Sequence, residues 1–290
     1  MLRRADDTGG STVPPPADIR RLAGGVGWRV SDIRCAAGPH HRPFEERHDA
    51  VSIAAVISGS FSYRSRRGAV ALVPGALMLG NLGECFECGH EHGVGDRCIA
   101  FHYTAETFAE IAAAVPGVTS AAFSHHRIPP ISAVAALVAA AQEGCMRPDI
   151  DWEELALTTA GRALRLLAER PRPARLPSAR DTTRITDAVR LIEQRYAERL
   201  SLAELAASCA ISRYHFLRLF RQVVGVTPHQ YVLRTRLRHA ALGLRHGTIS
   251  VAALAFELGF GDLSTFNAAF KRSFGMSPSA YRIRSFGGGG

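Results

Sequence analysis

The sequence of 290 residues has no apolar run approaching the roughly 18 residues that a membrane-spanning helix needs, so no transmembrane helix is expected. Its first 16 residues also lack the apolar segment of a secretory signal peptide, and they end in three consecutive prolines. We therefore expect a disordered leader at residues 1–16 and a cytoplasmic protein without membrane partners. Because the cytoplasm keeps thiols reduced, the six cysteines are expected to be free.

The first 180 residues have almost no net charge, because they hold 20 basic and 19 acidic side chains. The remaining residues hold 15 Lys and Arg against 7 Asp and Glu, so nearly all of the net charge of +9 lies in the last third. A basic module beside a neutral one favours a polyanionic partner for the basic module alone. A solvated basic surface is the alternative explanation, and charge does not decide between the two.

Proline and turn signals divide the chain. Three prolines within Pro171–Pro177 predict a linker, because proline cannot continue a helix. Residues from about 28 to 104 alternate short apolar runs with turn signals such as Pro74-Gly75, a pattern typical of a β-barrel or sandwich. Helices are expected at about 105–114, 130–145 and 151–169, with Asp151 capping the third.

The last third contains an internal repeat. Residues 201–228 and 250–278 share one plan, in which a short helix, a tight turn and a second helix precede a proline. Phe216 of the first copy recurs fifty residues later as Phe266, and other aromatic and glycine positions follow the same offset. The second copy has one additional residue in its turn.

Each copy predicts a helix-turn-helix unit. In the first copy, Ser201 and Glu204 form a capping-box pattern, and Ser212 is placed to cap the second helix. That second helix buries Phe216 and carries a basic and aromatic face, which fits the major groove of DNA. The exposed positions are expected to be Arg213, Tyr214, Arg218 and Arg221 in the first copy and Ser264, Thr265, Asn267, Lys271 and Arg272 in the second. Two generic helical hairpins are the alternative, but the recurrence of one plan within the basic segment favours DNA binding.

Between the copies, the segment from Pro228 to about Arg245 is long enough for a helix of about 18 residues, or roughly 27 Å. A spacer of this length could hold two recognition helices near the ~34 Å separation of successive major-groove segments. One chain could then contact two neighbouring segments of double-stranded DNA.

The stretch Gly-Phe-Gly-Asp-Leu-Ser-Thr-Phe-Asn-Ala-Ala-Phe-Lys-Arg-Ser-Phe-Gly-Met-Ser-Pro-Ser-Ala-Tyr-Arg, from Gly259 to Arg282, closely resembles the signature of AraC/XylS-type transcriptional regulators. The resemblance covers about Arg184 to Arg284. It implies an all-α DNA-binding domain of seven helices at residues 181–286, followed by a tail at 287–290. It also implies a non-enzymatic protein, an activator by family expectation, with RNA polymerase as a partner.

The same resemblance assigns base contacts to the outward faces of the two recognition helices. The corresponding positions are Tyr214, Leu217 and Arg218 in the first unit and Ser264, Thr265 and Ala268 in the second. The apolar Leu217 and Ala268 could at most touch a thymine methyl group, so the first unit is expected to carry most of the direct readout. Arg221, Lys271 and Arg272 are expected to hold phosphates, which position the protein without specifying sequence.

The N-terminal part resembles the cupin-like sensor domain that often accompanies this DNA-binding domain. The predicted fold class is therefore α+β, with a cupin-like β-barrel and following helices joined to the all-α domain. We expect the sensor domain at residues 17–120, a helical dimerisation or packing region at 121–170 and the linker at 171–180. The apolar face of the helix near residues 131–141 would cover either a second subunit, giving a homodimer, or its own barrel.

A cluster of thiols and imidazoles suggests how the sensor could work. Zinc or another soft metal ion could be held by Cys85, Cys88, His90, His92 and Cys98, within a glycine-rich loop. Against this, Cys85-x2-Cys88 lacks a second pair at zinc-finger spacing. A thiol-based redox or electrophile sensor, a small-molecule effector pocket and a purely structural role remain open. Cys35, Cys145 and Cys209 are interpreted as isolated core thiols.

An enzyme is the alternative class of function. His90-Glu91-His92 resembles the His-x-His pair of cupin metalloenzymes, so the chain could be such an enzyme carrying a DNA-binding tail. However, the pair follows Pro74-Gly75, where that pattern would place its later motif. A cysteine that accepts a methyl group from damaged DNA is a further alternative. A transcriptional regulator without catalytic residues and without a certain cofactor remains the favoured prediction.

Overall fold

A computed structural model of the chain describes residues 17–39, 41, 43, 45–90, 95–146, 150–168, 177–246 and 248–286. The strands are β1 (Ala17–Gly25), β2 (Trp28–Cys35), β3 (Glu45–Arg47), β4 (Val51–Ser58), β5 (Phe61–Ser65), β6 (Gly68–Leu72), β7 (Leu77–Gly80), β8 (Cys85–Gly89), β9 (Asp96–Tyr103) and β10 (Arg127–Ile128). The helices are α1 (Ala105–Ala113), α2 (Ser132–Gly144), α3 (Trp152–Ala168), α4 (Ala179–Arg195), α5 (Leu202–Ser208), α6 (Arg213–Val224), α7 (Pro228–His246), α8 (Val251–Glu257), α9 (Leu263–Phe274) and α10 (Pro278–Phe286). No helix in these ranges combines the length and apolar character needed to span a membrane.

The strands form two antiparallel sheets. One sheet has six strands in the order β1-β2-β9-β4-β7-β10, and the other has four in the order β3-β8-β5-β6. Within the described residues, no strand of one sheet pairs with a strand of the other, so the predicted closed cupin-like barrel is not confirmed. Strands β5 and β6 form a hairpin, and the expected turn at Pro74-Gly75 is present, with Gly75 at a φ of 86°. The six-stranded sheet takes its edge strand β10 from beyond residue 120.

Both faces of the six-stranded sheet are buried at its central strands, as β9 illustrates. Because side chains alternate along a strand, Ile99 and Phe101 face α1, α2 and α3, whereas Cys98 and Ala100 face the space between the sheets. The predicted helices correspond to α1, α2 and α3, and Asp151 Oδ1 accepts a hydrogen bond of 2.9 Å from the backbone N–H of Glu154, as a cap should.

The apolar face of α2 is covered within the chain. Val134, Leu137 and Val138 join the core beneath the six-stranded sheet, and Ala139 joins the core of the second helix-turn-helix unit. Of the two alternatives for this helix, the structure therefore displays packing on its own chain. The predicted linker lies largely outside the described residues, as do the leader and the tail.

The described C-terminal residues contain the seven helices that the resemblance implied, α4 to α10. Helices α5 and α6 form the first helix-turn-helix unit and α8 and α9 form the second, with the 19 residues of α7 between them, about 28 Å long. The capping box of Ser201 and Glu204 is formed, and Ser212 accepts from the N–H of His215. Each recognition helix ends at a left-handed glycine, Gly225 or Gly275.

The N-terminal module packs directly on the first unit. Leu72 and Val73 share one buried core with Phe220 and Tyr231, so no solvent layer separates the two modules at this point. Tyr231 Oη lies 2.9 Å from Glu193 Oε1 and 3.4 Å from the carbonyl oxygen of Pro74. The left-handed Gly225 faces Pro129 so closely that an added Cβ would lie 2.5 Å from the Pro129 Cγ.

The N-terminal module also contacts the second unit through α2. Glu143 is only 1% exposed and accepts a hydrogen bond of 2.9 Å from the Tyr281 hydroxyl of α10. Its carboxylate also forms an ion pair with Arg245 of α7, and Arg245 lies over the Tyr281 ring at 4.8 Å. Both DNA-binding units are therefore attached to the N-terminal module.

Candidate DNA-binding surface

Helix α6 has one buried and one exposed face. Phe216, Leu219 and Phe220 are buried, because residues three and four apart share a face of a helix. Four residues predicted to contact DNA are exposed: Arg213, Leu217, Arg218 and Arg221. Tyr214 lies in α6, but its side chain falls outside the described part of the structure. The exposed face of α6 therefore carries three guanidinium groups, distributed along successive turns of the helix.

Helix α9 repeats the plan with different chemistry. Phe266, Ala269 and Phe270 are buried. The exposed side chains are those of Ser264, Thr265, Asn267, Ala268, Lys271 and Arg272. Positive charge is confined to the last turn of this helix, and the preceding turns present small neutral groups. The inequality expected from the sequence is thus present in the exposed faces of the two helices.

The N-terminal caps add to this inequality. Asp262 caps α9, and its two carboxylate oxygens accept from the Thr265 N–H at 2.7 Å and the Thr265 hydroxyl at 2.8 Å. These bonds, with the backbone bond first, lower the pKa of Asp262, so an anion stands at the start of α9. Because Thr265 donates its only hydroxyl proton to Asp262, its side chain can offer DNA only a hydrogen-bond acceptor and a methyl group. The neutral Ser212 leaves the start of α6 more compatible with a phosphate.

A cleft of about 870 Å³ separates the two recognition helices. Leu217 of α6 lies on one wall, Thr265 and Arg272 of α9 lie on the other, and the first half of α7 forms the floor. Arg199 and Arg236 also line it. The cleft is therefore open, basic and bounded by the side chains expected to contact DNA.

Several arginines of the basic segment serve the fold instead. Arg236 donates to the carbonyl oxygens of Tyr196 (2.6 Å), Glu198 (2.8 Å) and Gly259 (2.7 Å). This one side chain joins the end of α4 to the turn between α8 and α9 of the second unit. Arg238 pairs with Glu193 at 2.5 Å, and Arg234 donates to the Pro130 carbonyl at 2.5 Å. The sequence does not distinguish these structural arginines from exposed ones, because no local pattern separates the two kinds.

Comparison with known proteins agrees with this geometry. The model of a helix-turn-helix domain family matches residues 205–284. The HTH-type transcriptional activator AarP of Providencia stuartii is 33% identical over 96 residues, which are 33% of this chain and 71% of AarP. The HTH-type transcriptional activator RhaS of Klebsiella pneumoniae is 35% identical over 99 residues, 34% of this chain and 36% of RhaS.

The chain belongs to the AraC/XylS family of transcriptional regulators. AraC-type helix-turn-helix domains bind double-stranded DNA. Among solved structures, the DNA-binding domain of AdpA in complex with a target DNA is 30% identical, with a TM-score of 0.34, over 37% of this chain and 97% of that one. The chain spans 27% to 37% of the length of seven other curated relatives that it matches.

The thiols and imidazoles predicted to bind metal in this AraC/XylS-family chain are not all brought together. Cys85 and Cys88 lie three positions apart in β8, so their side chains leave opposite faces of the strand. His92 lies outside the described residues. His90 and Cys98 approach each other through Asp96, whose Oδ1 lies 2.5 Å from His90 Nε2 and whose Oδ2 accepts from Cys98 Sγ at 3.4 Å.

Cys35, interpreted from the sequence as an isolated core thiol, joins this group. Ligand atoms of Cys35, His90 and Asp96 all lie within 4.8 Å of one another. Burial alone would lower the pKa of His90, but its hydrogen bonds with Asp96 and Cys35 outweigh burial and raise that pKa to about 9. Burial, reinforced by nearby acidic groups, raises the pKa of the Cys88 and Cys98 thiols well above the usual value. Protonated thiols are weak nucleophiles, which disfavours an electrophile sensor at these two positions.

Proposed function

We propose that the chain is a sequence-specific transcriptional activator in which a signal at the N-terminal module controls DNA binding by the two helix-turn-helix units. The observation that carries the proposal is the pair of exposed recognition faces on α6 and α9, held at the two ends of a cleft floored by α7. AraC/XylS membership supports the general class, since AarP and RhaS are both transcriptional activators by name.

In the proposed complex, α6 enters one major-groove segment and α9 enters the next, while the sugar–phosphate ridge between them lies in the cleft. Arg218 reads a guanine edge through two hydrogen bonds, which is worth roughly 1–3 kcal/mol of discrimination. Arg221, Lys271 and Arg272 contact phosphates. The first unit is then the specific reader, and the second is an anchor whose few polar groups add a weaker preference.

Control by the N-terminal module is supported by its contacts with both units. A change in the sheets reaches α6 through the shared core at Leu72 and Val73, and a change in α2 reaches the second unit through Glu143. We propose that the protein acts in the cytoplasm, contacts RNA polymerase when bound to DNA and forms a homodimer. The effector is a metal ion, a thiol-directed signal or a small molecule.

The test compares two exposed cations that differ in their proposed roles. Sites are first selected by the full-length protein from a random-sequence DNA pool. Arg218→Ala is expected to weaken binding to the selected site about 5- to 150-fold, the equivalent of roughly 1–3 kcal/mol, with little change on random DNA.

Lys271→Ala serves as the matched control. Losing one phosphate contact should weaken binding to both DNAs alike and reduce the salt dependence by roughly one released counterion. If Arg218→Ala lowered the two affinities equally, Arg218 would be a phosphate contact and the proposed reader would be wrong. If the protein selected no sequence at all, the proposed function would fail.

A further inference from the structure

We propose that Cys35, His90 and Asp96 form a binding site for a zinc-like divalent ion. Their donor atoms are a sulfur, an imidazole nitrogen and a carboxylate oxygen, all within 4.8 Å of one another. Sulfur and nitrogen donors favour Zn²⁺ and its neighbours over Mg²⁺ and Ca²⁺, which prefer oxygen alone. This ligand set shares only His90 with the set suggested by the sequence.

The backbone brings these side chains together by sheet pairing. Cys35 lies directly opposite Asp96 in the β2–β9 ladder, and residues paired in this way point to the same face of the sheet. Cys98 follows Asp96 by two positions on the same face, so it is a further donor beside the group. The His90 and Asp96 side chains are only 4% and 7% exposed, so the site is built into the protein rather than formed by surface residues.

Gly95, which directly precedes β9, fits closely against Cys35. Gly95 has a φ of +68°, and an added Cβ would lie 1.9 Å from the carbonyl oxygen of Cys35. Its N–H donates to the Ala37 carbonyl at 2.9 Å. A cavity of about 250 Å³, lined in part by His41, Ser62 and His90, borders one of the three donors.

Binding needs only a small rearrangement. Bonds of about 2.0–2.3 Å to a tetrahedral ion place donor atoms roughly 3.3–3.8 Å apart. His90 and Asp96, now 2.5 Å apart, would exchange their direct hydrogen bond for bonds to the ion, and Cys35, within 4.8 Å of both, would move to bonding distance. The proton of the His90–Asp96 hydrogen bond and the Cys35 thiol proton would pass to solvent, because metal ligands bind in their deprotonated forms.

Because of the position of the site, a bound ion would connect the two sheets of the N-terminal module. His90 follows the last residue of β8 in the four-stranded sheet, whereas Cys35 and Asp96 belong to the six-stranded sheet. An ion bound to all three would cross-link the two sheets. His90 also stacks on Phe61 at 5.7 Å, and Phe61 pairs with Leu72, which shares the core of the first DNA-binding unit. The role of the ion as the regulatory signal rests on the proposed function, but its binding does not.

The experiment measures Zn²⁺ and Co²⁺ binding to reduced full-length protein without DNA. One equivalent of Zn²⁺ is expected by elemental analysis, and Co²⁺ should give a thiolate-to-metal charge-transfer band and the intense visible bands of tetrahedral cobalt. Cys35→Ser should abolish the charge-transfer band. Asp96→Asn and His90→Gln should weaken Zn²⁺ binding by more than the about 10–100-fold typical of residues that only orient a ligand.

Cys85→Ser is the matched control, because it removes a thiol from the same region but from the far side of β8. It should bind Zn²⁺ as the parent protein does. Loss of binding in Cys85→Ser with retention in Cys35→Ser would overturn the proposal in favour of a site around the Cys85-x2-Cys88 pair. Absence of Zn²⁺ and Co²⁺ binding by the parent protein would overturn it outright. Circular dichroism of each variant separates lost binding from lost fold. Failure to select DNA would leave this result untouched, so the two proposals can fail separately.

Discussion

Histidine serves two opposite purposes in the N-terminal module. His90 gains a carboxylate partner in Asp96, and its pKa rises to about 9 despite burial. His48, His102 and His126 lie in buried surroundings without such a dominant partner, and burial lowers the pKa of each to about 4. At neutral pH the first is charged and the other three are neutral, so the module should respond to acid and base through different residues.

Acid should destabilise the module through the three neutral histidines. Their pKa is 6.5 when unfolded and about 4 when folded, so the unfolded state takes up more protons as the pH falls below 6.5. Each histidine therefore lowers the free energy of unfolding by up to about 1.4 kcal/mol per pH unit across this window. Urea unfolding at several pH values between about 7 and 4.5 measures the effect.

His126→Gln provides the control for this prediction. Glutamine can keep a hydrogen bond with Ser65, which now lies 2.8 Å from His126 Nε2, but it does not titrate. The difference between parent and variant isolates one histidine from carboxylates that also titrate in this range. The parent's stability should fall more steeply with acid, and parallel curves would show that His126 is not held neutral. His90 acts with the opposite sign, and its contribution is lost as the pH rises through about 9.

At the scale of elements, the sequence predicts correctly those features that are determined by residues close together in the chain. The Ser201 cap, the Phe216 stripe and the turn at Pro74-Gly75 are each set by residues within a few positions, and each is present. The pairing of β2 with β9 joins positions more than sixty residues apart, so no local signal placed Cys35 beside Asp96. Closure of the barrel is not confirmed in the described residues, and strand composition alone does not specify which edges meet.

The repeated C-terminal glycines of the recognition helices offer a matched pair. Gly225 and Gly275 are both left-handed, so alanine at either position should cost about 1–2 kcal/mol of stability. An added Cβ at Gly275 meets open space, whereas at Gly225 it meets Pro129 at 2.5 Å. Gly225→Ala should therefore lose about 1–3 kcal/mol more than Gly275→Ala in urea unfolding, because the clash adds to the backbone strain.

This comparison also tests the packing between modules. Equal losses for the two alanine variants would mean that Pro129 moves aside without cost, and that the first unit is attached less firmly than the structure indicates. A Pro129→Ala background supplies a second check, because removing the ring should bring the cost of Gly225→Ala closer to that of Gly275→Ala.

For the whole molecule, the ion pair of Glu143 and Arg245 is one buried polar link between the N-terminal module and the C-terminal helices. Removing one member of a buried pair leaves an uncompensated charge, which typically costs about 3–5 kcal/mol. Glu143→Met and Arg245→Met should each destabilise the full chain by that order in urea unfolding. The double variant should lose clearly less than the sum of the two, because no charge is left buried alone.

Tyr281→Phe separates the hydrogen bond from the ion pair. It removes only the hydroxyl that donates to Glu143 at 2.9 Å, so its cost should be nearer to about 1 kcal/mol. Additive losses in the Glu143 and Arg245 double variant would contradict the link, since they would show that the two residues act independently.

The core that Leu72 and Val73 share with Phe220 and Tyr231 limits how freely this regulator could be recombined. In a chimaera, a foreign sensor grafted at the Pro171–Pro177 segment would bring a new surface against the first DNA-binding unit and leave that unit's apolar side unmatched. The natural boundary for exchange therefore follows a packed surface rather than a point in the sequence. In related chains that keep this interface, a substitution on the sensor side should be accompanied by a compensating substitution on the DNA-binding side.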